Sequence, residues 1–92
     1  MARLEESEIQ ERLDALEGWR LEGQAITKEF ELGDFAGSVD FVNRITAVAE
    51  DMNHHPDLSI SWNKVGVSIT THSEGGLTAS DFELASRIDA AV

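Results

Sequence analysis

Residues 57–72 place the tightest limit on what this chain can fold into. Leu58, Ile60 and Trp62 alternate with Ser59 and Ser61, and Val65, Val67, Ile69 and Thr71 alternate with Gly66, Ser68 and Thr70. A period of two in consecutive runs marks strands with one buried face. Asn63-Lys64 between the runs suits a two-residue hairpin loop, with Asn63 tolerating positive φ. Trp62 then faces Val65, and Leu58, Ile60, Trp62, Val65, Val67 and Ile69 share one face. Carried back without a bulge, this register sets His55 opposite His72, with Cβ atoms roughly 5 Å apart.

That apolar face needs a cover, and the flanking segments supply helices. Over 34–53, Asp34 is a good N-cap, and Phe35, Val39, Val42, Ile45, Ala49 and Met52 recur at helical spacing. Pro56 stops continuation and biases His55 toward extended backbone. Residues 7–17 read as a first helix, with a Ser7/Gln10 capping box, Ile9, Leu13 and Leu16 on one face, and Gly18 as a stop. A second hairpin over 19–32 turns at Gly23. Past Gly75-Gly76, Thr78 with Asp81 caps a last helix whose apolar stripe is Phe82, Ala85, Ile88 and Val92. The expected fold is two-layer α+β: a four-stranded antiparallel sheet with helices packed on one face, in the order αββαββα.

A chain of 92 residues, 41% hydrophobic, is read as a single domain over 1–92 with one modest core. Oligomerisation is expected at this size. Seven basic against eighteen acidic residues give a net charge of −11, which disfavours direct binding to nucleic acid or to anionic membranes. No apolar run follows a basic start, so neither a signal peptide nor a membrane span is expected. The absence of cysteine excludes disulfides and thiolate metal sites and fits a cytoplasmic setting.

The side chains able to do chemistry are Glu50, His54, His55, His72 and Asp81. The predicted register gathers all three histidines at one end of the sheet, beside the end of the long helix and the start of the last one. Imidazole, with an unperturbed pKa of about 6.5, both donates and accepts protons near neutrality. Zinc on His55, His72 and a carboxylate is the competing reading. Against it, the adjacent His54 and His55 point apart in an extended segment, and no helical His-x-x-x-His pair exists. Asp81 suits a helix cap and can also orient a histidine. Glu50, one turn before His54, suits a solvated helix face.

Glu50-x-x-x-His54-His55-Pro56, five residues to Trp62, nine to His72 and eight to Asp81 together resemble the signature of the pterin-4a-carbinolamine dehydratase family. Gly18-Trp19, Phe30, Asp34-Phe35, Asn63-Lys64-Val65, Thr71-His72, Gly76-Leu77-Thr78 and Leu84-Ala85 extend the likeness over nearly the whole chain. The resemblance implies dehydration of 4a-hydroxytetrahydropterin to quinonoid dihydropterin without metal or organic cofactor, in pterin recycling after aromatic amino-acid hydroxylation. It implies a catalytic set of His54, His55, His72 and Asp81, with His54 and His72 as the acid/base pair, His55 binding and orienting substrate, and Asp81 holding a histidine. The pterin would be lined by Glu50, Asn53, His54, His55, Thr70, Thr71, His72 and Ser73, partly through backbone groups. Asn53 stands where relatives often carry Asp. The hairpin register pairs His55 with His72, whereas the resemblance pairs the roles of His54 and His72, and a bulge near Pro56 would reconcile them. A homodimer or homotetramer and a functional link to an aromatic amino-acid hydroxylase are also implied. The alternative is a non-catalytic dimerisation or assembly module of the same fold, a role that needs no imidazole in a pocket.

Overall fold

The computed structural model describes residues 2–92. The elements are α1 (Glu6–Asp14), β1 (Arg20–Glu22), β2 (Ala25–Glu31), α2 (Phe35–Met52), β3 (Asp57–Ser61), β4 (Lys64–Ile69) and α3 (Ala79–Ala90), with a 3-10 turn over His72–Glu74. They build the expected α+β fold, with one antiparallel sheet in the order β1-β2-β4-β3. The buried side of the sheet carries Ile26, Phe30, Val65, Val67 and Ile69. Against it pack Phe41 and Ile45 of α2 and Phe82, Leu84, Ala85 and Ile88 of α3. Phe30 meets Phe41 at 4.9 Å between ring centroids and Trp19 edge-on at 6.0 Å.

The register of the second hairpin differs from the predicted one. Ser61 pairs with Lys64, Ile60 with Val65 and Leu58 with Val67, so the loop is Trp62-Asn63. Trp62 takes φ 52°, sits 68% exposed and leaves the apolar face. Tertiary hydrogen bonds offset this strained backbone. The buried Ser38 of α2 donates to the Trp62 carbonyl at 2.7 Å, and the Leu32 amide donates to the Asn63 carbonyl at 2.7 Å. The shift is by two residues, so Leu58 and Ile60 keep their predicted face. His55 does not pair with His72.

Helix details also differ. Asp34 caps α2 as expected, its carboxylate accepting from the Gly37 amide at 2.7 Å. The buried positions of α2 are Ser38, Phe41, Ile45 and Ala49, whereas Phe35 and Val39 are exposed. Phe41 lies off the predicted stripe because the helix has two apolar edges and the sheet covers the Phe41 edge. α1 begins one residue earlier than predicted, with Glu5 and Glu8 forming the capping box in place of Ser7 and Gln10. In α3 the buried stripe includes Leu84, while Val92 lies past the helix end and is exposed. Arg87 of α3 donates to Glu83 at 2.8 Å and to Asp51 of α2 at 2.9 Å. Those carboxylates, Glu83 first, hold its guanidinium pKa above the ordinary arginine value, and the bond to Asp51 ties the two helices together one turn before His54.

Candidate active site

The end of α2 sets the first histidine. Asn53 adopts the left-handed conformation, φ 50°, that closes a helix, a geometry asparagine tolerates better than most residues. The His54 amide reaches back to the Ala49 carbonyl at 3.0 Å and the Asn53 amide to Glu50 at 3.2 Å, the paired bonds of a Schellman cap. The chain then leaves the helix with the two adjacent imidazoles on different partners. His54 Nε2 lies 2.5 Å from Asp81 Oδ1, the histidine largely buried and the carboxylate wholly so. His55 Nε2 pairs with Glu50 Oε2, both side chains open to solvent.

Asp81 is the hub. It sits at the third position of α3, where its carboxylate accepts the Thr78 amide at 2.8 Å and completes a capping box with Thr78. The helix N-terminus favours negative charge at this place. The same Oδ2 accepts the Thr71 hydroxyl at 2.8 Å, and Thr71 Oγ1 lies 3.0 Å from Thr78 Oγ1. One carboxylate therefore joins three parts of the chain: the exit of α2, the segment after β4 and the start of α3.

His72 follows Thr71 directly and opens the 3-10 turn, which ends on Gly75 at φ 68° and returns to pair Gly76 with Thr71. Its imidazole is exposed and makes no hydrogen bond among the described residues. The structure thus brings His54, Asp81, Thr71 and Thr78 into one network, places His72 beside it and sets His55 with Glu50 on a separate, solvent-facing pair. Ser73 and Asn53 are exposed, and the Thr70 hydroxyl is spent on the Gln24 carbonyl at 2.6 Å. Among the described residues no group of three or more His, Cys, Asp or Glu side chains is arranged to hold a metal ion. Sequence reasoning took Thr78 only as a cap and Thr71 only as lining. Their place on either side of the His72–Gly76 turn was the signal that they meet.

An imidazole held by a buried carboxylate is fixed in place, and an exposed imidazole is open to solvent; groups of this kind can serve in acid/base chemistry. The family model for pterin 4 alpha carbinolamine dehydratase matches residues 2–91. A protein of Sulfurisphaera tokodaii, provisionally named pterin-4-alpha-carbinolamine dehydratase, is 48% identical over 97% of this chain and 96% of its own length. The crystal structure of a transcriptional coactivator/pterin dehydratase from Brucella melitensis superposes with a TM-score of 0.92 at 40% identity, covering 97% of each chain. A pterin dehydratase-like RuBisCO assembly factor of the alpha-carboxysome superposes with a TM-score of 0.69 at 23% identity, over 80% of this chain and 88% of that one, a likeness of fold alone. The chain belongs to the pterin 4 alpha carbinolamine dehydratase family.

Proposed function

We propose that this protein dehydrates 4a-hydroxytetrahydropterin to quinonoid dihydropterin and water, with no metal or organic cofactor. The observation that carries the reading is the buried Asp81 carboxylate on His54, in a network with Thr71, the residue that precedes the exposed His72. The substrate's hydroxyl leaves a carbon flanked by a ring nitrogen whose lone pair helps expel it. One group must protonate the departing oxygen and another must accept a ring proton. His54 and His72 take these roles, and His55, steadied by Glu50, binds and orients the pterin. Asn53, Thr70, Ser73 and the backbone around Thr71 and His72 line the substrate. The role in the cell is pterin recycling in the cytoplasm, linked to an aromatic amino-acid hydroxylase. No described helix is long and apolar enough to cross a membrane. The net charge of −11 argues against nucleic acid as a direct partner.

The active species is a homo-oligomer built on β3. This strand is a sheet edge, with backbone groups unpaired on one side. It exposes Leu58 and Ile60 beside the loop residue Trp62, and α2, which packs alongside, exposes Phe35 and Val39.

A non-catalytic assembly role has one observation in its favour, the shared fold of the carboxysomal assembly factor. A coupled assay with 4a-hydroxytetrahydropterin separates the two. His54→Ala and His72→Ala are each expected to slow turnover on the order of 10- to 1000-fold with the fold intact. Wild-type rates in both single variants and in the double variant would remove these residues from the mechanism. An inactive wild-type protein would favour the assembly reading.

A further inference from the structure

We infer that Thr71 is a positioning residue, and that it and Thr78 lock Asp81 so that His54 exchanges its proton with the substrate through Nδ1. The inference about the reaction rests on the dehydratase reading above, whereas the hydrogen-bond chain rests on geometry alone.

The direction of each bond in the network follows from what each atom can do. An ionised carboxylate oxygen only accepts, so the single hydroxyl proton of Thr71 goes to Asp81 Oδ2 at 2.8 Å. Thr71 Oγ1, its proton spent, accepts from the Thr78 hydroxyl 3.0 Å away. Thr78 Oγ1 in turn accepts the Asp81 amide as the cap of α3. The chain of donors begins at the Asp81 amide and ends at the Asp81 carboxylate, each bond polarising the next. The Thr78 amide is a second donor to Oδ2, also at 2.8 Å.

Oδ2 is thereby saturated by two fixed donors, and Oδ1 is the oxygen left for His54 Nε2 at 2.5 Å. Facing an acceptor, Nε2 must carry a hydrogen in both the neutral and the charged imidazole. In the neutral ring Nδ1 then holds the lone pair, and in the charged ring Nδ1–H is the proton to give away. The proton on Nε2 stays with Asp81 throughout. Neither the Thr71 hydroxyl nor its amide, which pairs with the Gly76 carbonyl at 3.3 Å, is left for substrate.

Long-range proton–nitrogen NMR on the nitrogen-labelled full chain, at a pH where the imidazole is neutral, reads the tautomer directly. Wild-type His54 is expected as Nε2–H, and Nδ1–H would overturn the inference. Thr71→Val keeps the shape and deletes the donor. It is expected to give mixed tautomers at His54 and to lower kcat by about 10- to 100-fold with KM little changed. Thr71→Ser, which restores the donor, is expected to recover both. A folded Thr71→Val protein with wild-type tautomer and kcat would sink the positioning role. Should that variant not fold, Thr71→Ala carries the same two readouts and the wild-type tautomer still decides. A wild-type Nε2–H signal in a protein without dehydratase activity would leave the hydrogen-bond chain standing and remove the proposed function instead.

Discussion

Asp81 does two jobs with one side chain, and its substitutions should separate them. Asp81→Ala removes a helix cap and leaves the half-buried Thr71 hydroxyl and the buried Thr78 amide without their acceptor. The loss is expected at about 2–4 kcal/mol in urea unfolding. Asp81→Asn retains an acceptor for the cap but no longer offers a charged oxygen to His54. We expect a smaller stability loss, about 1 kcal/mol, and a fall in kcat on the order of 100-fold or more. An Asn variant with wild-type kcat would show that His54 needs no carboxylate. The cap was legible from the Thr78–Asp81 spacing, and so was the ability of Asp81 to serve a histidine. Its partner among the three histidines was not, because that depended on the hairpin register. Trp62 at positive φ carries no sequence signal, since tryptophan has no preference for that conformation.

At the scale of elements, the hairpin loop is held from outside itself. Ser38 on α2 and Leu32 after β2 grip the carbonyls of Trp62 and Asn63. Ser38→Ala should cost about 1–2 kcal/mol by leaving the Trp62 carbonyl without its donor, measured by chemical denaturation. An unchanged midpoint would mean that the loop conformation is local. Long-range bonds of this kind explain why strand positions and faces could be read while the register was displaced by two. The helices show a parallel limit. The apolar content of α2 predicted an amphipathic helix, but it has apolar side chains on two edges. Only the sheet decides that Phe41 is buried and Phe35 is not.

The uncovered edge of α2 becomes a question about the whole molecule. Phe35 and Val39 are exposed on α2, which packs alongside the edge strand β3, and exposed apolar side chains on a small protein invite a second copy. Ile60→Lys is expected to shift the protein from oligomer to monomer in light scattering coupled to size exclusion, with the circular dichroism spectrum kept. A wild-type monomer at working concentration, or an Ile60→Lys oligomer, would rule this edge out. Subunits each carrying a net charge of −11 repel, so added salt should tighten the assembly. Chain length made self-association an expectation. A candidate surface for it emerged only once Trp62 left the buried face and α2 turned its Phe35 edge outward.

The closed ring from the Asp81 amide to its own carboxylate has an evolutionary consequence. A replacement at position 81 is screened twice, once for whether the last helix starts and once for whether the imidazole is aimed. Position 78 inherits the same double screen through its hydroxyl, and position 71 only the second. A descendant relieved of catalysis would still need the cap at 81 and 78 but not the hydroxyl at 71. In a lineage turning from enzyme to scaffold, position 71 should therefore be the first of the three to drift.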